Sequence, residues 1–179
     1  AVGLVSFADT ARVVTPPTTD RAAVRLALNG LLVGGETALY DGVSTAVTAA
    51  GSEGIRSVLL LSDGGDTASK TTLADVTTKA AESGAVVDAV AFQTEESVGQ
   101  TLTGIADATN GRVITVTAPG DVSTAFAASA QETANQVVVT ADVPTQFSGA
   151  SATVTVAADV AGSTDSDSAV VTLGTAAPQ

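Results

Sequence analysis

Four consecutive apolar residues, Val58-Leu59-Leu60-Leu61, run straight into Ser62-Asp63-Gly64-Gly65-Asp66. Such a run, stopped at once by polar and glycine residues, reads as a strand buried on both faces, as in a covered parallel sheet. In open α/β sheets, ligand chemistry collects at the carboxyl ends of these strands. A carboxylate there, beside glycines that allow close approach, suits a metal or phosphate site; an Asp after a strand is also a common turn residue.

The chain up to about residue 135 alternates strand and helix patterns around that stretch. Val2 to Phe7 reads as a buried strand, followed by an Ala8-Asp9-Thr10 turn. Arg12-Val13-Val14 reads as a short edge strand ended by Pro16-Pro17. Asp20 is a plausible N-cap for a helix with Val24, Leu28, Leu31 and Leu32 on one face, broken at Gly34-Gly35. A second helix starts near Thr37, carries Leu39, Val43, Ala46, Val47 and Ala50, and stops at Gly51. After the organising strand, Leu73, Val76, Ala80 and Ala81 mark a helix ending at Ser83-Gly84. Val86 to Phe92 is a strand, and Val98, Leu102, Ile105 and Ala106 form a helix face closed by Asn110-Gly111. Arg112 to Thr117 is a strand; Asp121 caps a last helix with Val122, Ala125, Phe126, Ser129 and Thr133 along its stripe. This alternation predicts an α/β fold, a Rossmann-like, doubly wound and mostly parallel sheet with helices on both faces.

Beyond Gln136 the pattern changes to period two: Val137, Val139, Ala141 and Val143; Val154 and Val156; then Ala169, Val171 and Leu173. Three short antiparallel strands over 136–174 are expected, with turns at Pro144–Gly149 and Gly162–Asp167, and a tail over 175–179. So short a segment cannot bury a core of its own. The expected organisation is an α/β domain over 1–135 with a short C-terminal antiparallel β extension.

Composition closes several functional routes. The chain has no Cys and no His, which removes disulfides, thiolate or imidazole zinc sites, and every His-based nucleophile relay. The net charge is −12, and no basic residue follows Arg112, which argues against nucleic acid and anionic membrane surfaces as partners. No apolar run approaches the roughly 20 residues of a membrane span. The chain opens inside a strand pattern rather than at Met, the expectation for a piece of a longer protein.

A second constellation is Gly34-Gly35-Glu36-Thr37-Ala38-Leu39-Tyr40-Asp41-Gly42. Two glycines and a Thr opening a helix place a hydroxyl and free amides at its N-terminus, which suits a ligand but, taken alone, reads more simply as a Thr N-cap. Gly-Gly-x-Thr opening a helix, followed one element later by an apolar strand ending in Ser-Asp-Gly, resembles the von Willebrand factor type A family. Val2–Phe7 with Ala8-Asp9 looks like that family's second strand, Val13-Val14 like its reversed edge strand, and Thr18–Asp20 falls where the family expects it. The resemblance covers roughly residues 1–135.

The resemblance implies a metal-ion-dependent adhesion site, with Mg²⁺ or Mn²⁺ held by three loops at the top of the sheet. By motif match Thr37 would be the second-loop ligand and Asp63 the third-loop carboxylate, direct or through water. Gly35, Glu36, Gly64 and Asp66 would line the ligand-face rim, where Glu36 and Asp66 read equally well as surface acids. A hard cation held by hydroxyls and few carboxylates keeps an open position for a partner's Asp or Glu. The sequence departs from the family in one respect: no Asp-x-Ser-x-Ser occurs. That loop belongs on a first, central strand lying between those represented by residues 2–7 and 57–62. The expectation is therefore weak or absent metal binding by these residues alone. The sheet is expected either to rearrange or to expose unpaired edges. Asp121-Val122-Ser123-Thr124-Ala125 imitates the missing loop but fails at its last position, and Asp121 reads better as a helix cap.

Gly64 to Thr71 comes within a residue of a phosphate-binding loop, but Ser69 replaces the glycine before Lys70, and Asp63 and Asp66 would repel phosphate. Asp165 and Asp167 read as solvating a hairpin turn. Two functional classes follow. One is a non-enzymatic interaction or adhesion module of a bacterial surface or membrane-anchored protein, binding a protein carboxylate, with neither nucleic acid nor membrane insertion. The other is a Mg²⁺-dependent phosphohydrolase using Asp63 and Asp66, for which Lys70 is the only nearby cation. A structural domain with an unused metal site is the third possibility.

Overall fold

The computed structural model describes residues 1–93, 96–135, 142, 144–160 and 163–174. The chain divides into two compact units, Ala1–Gln136 and Val137–Gln179.

In the first unit, β1 (Val2–Phe7) and β2 (Ala11–Thr18) form an antiparallel pair. β2 does not stop at its prolines. The ladder shifts register between the Leu4–Thr15 and Val2–Thr18 pairs, which places Pro16 and Pro17 in the irregularity. A missing N–H is tolerated at such a point on an outer strand. Helix α1 (Arg21–Asn29) starts where Asp20 accepts hydrogen bonds from the Ala22 and Ala23 amides, at 2.9 and 3.1 Å. It ends sooner than expected. Gly30, not Gly34-Gly35, is the C-cap, its amide returning to the Leu26 and Ala27 carbonyls. Leu31 is half-buried in the following segment, whereas Leu28 and Leu32 are exposed.

Helix α2 (Leu39–Ala49) follows, then β3 (Ser57–Ser62), α3 (Leu73–Ser83), β4 (Val86–Phe92), α4 (Glu96–Asp107), β5 (Val113–Val116) and α5 (Pro119–Ala134). Thr72 and Asp75 cap α3 reciprocally, and Gly84 ends it at φ 68°, a left-handed backbone suited to glycine. Helix α5 opens two residues before Asp121. Pro119 takes the first position, where a missing N–H costs nothing, so Asp121 lies inside the first turn and not at the cap.

β3, β4 and β5 form a parallel three-stranded sheet in that order. Leu60, Val87, Ala89 and Ala91 point to one face, packed with Leu39, Val43 and Val47 of α2, Val76 and Ala80 of α3, and Leu102 and Ile105 of α4. Val90, Phe92, Leu59, Ile114 and Val116 point to the other, against Val122, Ala125 and Phe126 of α5. The expected two-sided covering is present. The sheet is not continuous, however: among the described residues β1 pairs only with β2, and β3 only with β4. Of the two expected outcomes, the unpaired edges are the one observed. Helix α2 packs on β1, β2 and β3, and so bridges the two sheets.

Asp88 is a buried acid in the middle of β4. Its carboxylate accepts the Ser129 hydroxyl of α5 and, at 3.1 Å, the Arg112 amide ahead of β5. A buried carboxylate persists only with such partners.

In the second unit, β6 (Ser151–Val160) and β7 (Ser163–Thr172) make an antiparallel ribbon of ten facing pairs. Both strands are longer than expected. Asp165 and Asp167 belong to β7, opposite Ala158 and Val156, rather than to a turn. Hydroxyl pairing favours the extension: Thr155 and Ser168 meet across the strands at 2.8 Å, and Thr164 donates to Asp159. Within the expected Pro144–Gly149 turn, Thr145–Phe147 forms a 3-10 turn. The remaining expected strand, over 137–143, lies outside the described residues apart from Asp142, as does the tail over 175–179.

Candidate functional site

The carboxyl end of β3 delivers Ser62, Asp63 and Gly64. The Ser62 hydroxyl turns back to donate to the Gly64 carbonyl at 2.8 Å, and Asp63 stands exposed beyond it. Asp63 lines a cleft of about 460 Å³ with Leu61, Phe92 and the start of α5 at Pro119 and Val122.

Thr37 precedes α2 without capping it. The N-cap is Ala38, which has no side-chain cap, so the helix's first amides are satisfied from another loop. The Tyr40 amide donates to Asp66 Oδ1 at 3.1 Å, and the Asp41 amide to Ser69 Oγ at 3.0 Å. The Thr37 amide donates to Thr67 Oγ1 at 2.9 Å, and the Thr37 carbonyl accepts the Thr67 and Ala68 amides at 2.8 and 3.2 Å. Thr67 Oγ1 donates in turn to Glu36 Oε2 at 2.9 Å. The return contact comes from Asp41, whose two carboxylate oxygens accept the Lys70 and Thr71 amides at 3.1 and 3.0 Å. The Thr71 side chain and then the Lys70 amide hold that carboxyl below the usual aspartate range. Burial, and next the Asp66 charge, push the Tyr40 hydroxyl up.

A third loop joins from the β1–β2 turn. Asp9 Oδ1 accepts the Glu36 amide at 2.7 Å, and the Ala38 amide donates to the Ala8 carbonyl at 2.7 Å. Gly35 sits in this crook at φ 91°, where a Cβ would lie 2.7 Å from Asp9 Oδ1, so both backbone angle and space require glycine. Of the expected rim residues, Glu36 and Asp66 thus spend carboxylate oxygens on loop-to-loop bonds. Gly35 packs on Asp9, and Gly64 closes the Ser62 turn.

Thr37 and Asp63 differ from these neighbours. Among the described residues, neither the Thr37 hydroxyl nor the Asp63 carboxylate has a hydrogen-bond partner. A hydroxyl and a carboxylate are donors of the kind a hard divalent cation takes, but two donors fall well short of the roughly six oxygens of a Mg²⁺ shell. No group of three or more Asp or Glu side chains suited to a metal occurs among the described residues. The donor type fits a hard cation, and the number of donors does not fill its shell. The sequence reading missed the loop interlock. Its trace is the polar series Thr67, Ser69 and Thr71 facing an Asp41 otherwise set among the apolar residues of a helix start.

Residues 1–65 match the family model for the von Willebrand factor type A domain. A von Willebrand factor type A structure from Catenulispora acidiphila is 25% identical, with a TM-score of 0.62 over 73% of this chain and 33% of that one. The first unit has the von Willebrand factor type A fold. An aerotolerance-related membrane protein from Bacteroides fragilis shares it at 19% identity and a TM-score of 0.58, over 75% of this chain and 79% of that one. So does proximal thread matrix protein 1 from the mussel byssus, solved with a zinc-occupied MIDAS motif, at 20% identity and a TM-score of 0.55, over 70% of this chain and 34% of that one. No curated protein matches the chain. The chain thus spans about a third of the Catenulispora protein. A von Willebrand factor type A fold supports a protein-interaction module, and no helix among the described residues is long and apolar enough to cross a membrane.

Proposed function

We propose that the first unit is a non-enzymatic interaction module whose Thr37 hydroxyl and Asp63 carboxylate hold a hard divalent cation, Mg²⁺ or Mn²⁺. An Asp or Glu of a protein ligand fills an open position on that cation. The observation that carries this reading is the contrast within the loops. Asp9, Glu36, Asp41 and Asp66 are all engaged in holding the loops together, whereas Thr37 and Asp63 are left unengaged by the same scaffold. An under-neutralised cation attracts a carboxylate, and the rim around Gly35, Glu36, Gly64 and Asp66 frames its approach. Two protein donors bind the cation weakly, so the partner's carboxylate contributes much of the final affinity. The likeness to a bacterial membrane protein supports a place at a bacterial surface.

Mn²⁺ added to the isotope-labelled chain tests this. Selective paramagnetic broadening of the Thr37 and Gly64 amides is expected, lost in Asp63→Ala, with no tight stoichiometric Mg²⁺ binding by calorimetry. Uniform broadening would sink the cation reading. Mg²⁺-dependent hydrolysis of p-nitrophenyl phosphate, abolished in Asp63→Asn, would replace it with the phosphohydrolase.

A further inference from the structure

We propose that Asp41 is a positioning residue of the cation face, setting where Asp63 stands relative to Thr37. The inference rests on the reading of Thr37 and Asp63 as cation ligands. Asp41 belongs to the first turn of α2, which is packed into the core through its neighbours Leu39 and Val43. Its frame is therefore fixed by the sheet. From that frame it makes three backbone-level contacts to successive residues of the other loop: its amide to Ser69 Oγ, and its carboxylate to the Lys70 and Thr71 amides. A carboxylate spanning two consecutive amides is a charge-assisted bidentate acceptor, stronger and more directional than a neutral contact.

The geometry divides the loop after β3 into two held portions. Residues 66–68 are fixed to Tyr40 and Thr37, and residues 69–71 to Asp41. Asp63 follows directly from β3, so the span from the strand end to Thr71 is anchored at both ends. Releasing the Asp41 end frees residues 69–71 and leaves the contacts of residues 66–68 to Tyr40 and Thr37 as the remaining hold on the loop that follows Asp63. Both Asp41 carboxylate oxygens are already taken by amides, which leaves Asp41 to act through the loop rather than on the cation.

The test combines amide exchange with Mn²⁺ titration on the full chain, comparing wild type, Asp41→Ala, Asp41→Asn and Asp63→Ala. Asp41→Ala should speed exchange at Lys70 and Thr71 and weaken the Mn²⁺ response at Thr37 and Gly64 by about tenfold, the scale of a lost outer-shell partner. Asp41→Asn, which keeps one acceptor oxygen, should fall between. Asp63→Ala should remove the Mn²⁺ response and leave Lys70 and Thr71 exchange as in wild type. Faster exchange in Asp41→Ala with an unchanged Mn²⁺ response would overturn the positioning role while leaving the cation reading intact. Absence of any selective response in wild type would overturn the cation reading and this proposal with it. If Asp41→Ala does not fold, Asp41→Asn and Thr71→Val, which removes one hydroxyl from the latch, carry the same comparison.

Discussion

β4 and β6 are both rich in small apolar residues, and they sit in opposite circumstances. β4 has a strand on each side and helices over both faces; Val87, Ala89, Val90 and Ala91 are each no more than 1% exposed. Among the described residues β6 has β7 alone, and its Val154 and Val156 remain 43% and 56% exposed. β4 is apolar at all of its 7 positions but Asp88, and β6 also carries Ser, Thr and Asp among its 10. Pattern and cover differ as well: Val86 to Phe92 is apolar at successive positions broken only by Asp88, whereas Ser151 to Val156 alternates hydroxyl with apolar. A strand apolar on both sides needs two covers and has them; a strand apolar on one side shows that side to solvent among the described residues.

The sharpest way to test the contrast is to remove volume from each region. Leu102→Ala, in the helix layer over β4, should cost about 2–5 kcal/mol, because a fully buried leucine leaves both its transfer energy and a cavity. Urea unfolding followed through Tyr40, the only tyrosine and a residue of the first unit, reads the loss directly. An intermediate effect lies in acid. The Asp41 carboxyl is held below its unfolded value, so its contribution is present above the ordinary aspartate range and is lost as pH falls through the lower folded value. Asp41→Asn should therefore flatten the acid limb of the same unfolding curve, and an unchanged limb would contradict the latch. The smallest effect belongs to the ribbon. Val156→Ala should shift stability by no more than about 0.5 kcal/mol. A loss comparable to Leu102→Ala would mean that the exposed face of β6 is covered in solution.

The strands and helices of the first unit were legible because β3 to α5 alternate in period and are punctuated by caps and glycines that act locally, such as Asp20, Gly84 and Asn110-Gly111. Local signals failed where a distant element decided the outcome. Pro16 and Pro17 end a strand only if their N–H groups are wanted, and a register shift opposite Gly3 removes the need. The face assigned to Leu28 and Leu32 followed helical spacing past a helix that closes at Gly30. At the site, the motif spacing pointed to Thr37 and Asp63, but no local rule reports that a helix start is capped by residues some thirty positions later. Asp88 had a visible trace, a lone acid in an apolar strand, yet its partner Ser129 lies 41 residues away.

That remote capping also has a consequence in time. Helices α1 and α3 carry their own caps, Asp20 and Thr72, and their first turns can close as soon as the local chain is free to fold. Helix α2 cannot: the groups that satisfy its opening amides lie beyond β3, at Asp66, Thr67 and Ser69. Nucleating a helix is the unfavourable step of its formation. The opening turn of α2, beside the candidate cation ligands, is thus capped only once the segment beyond β3 is in place.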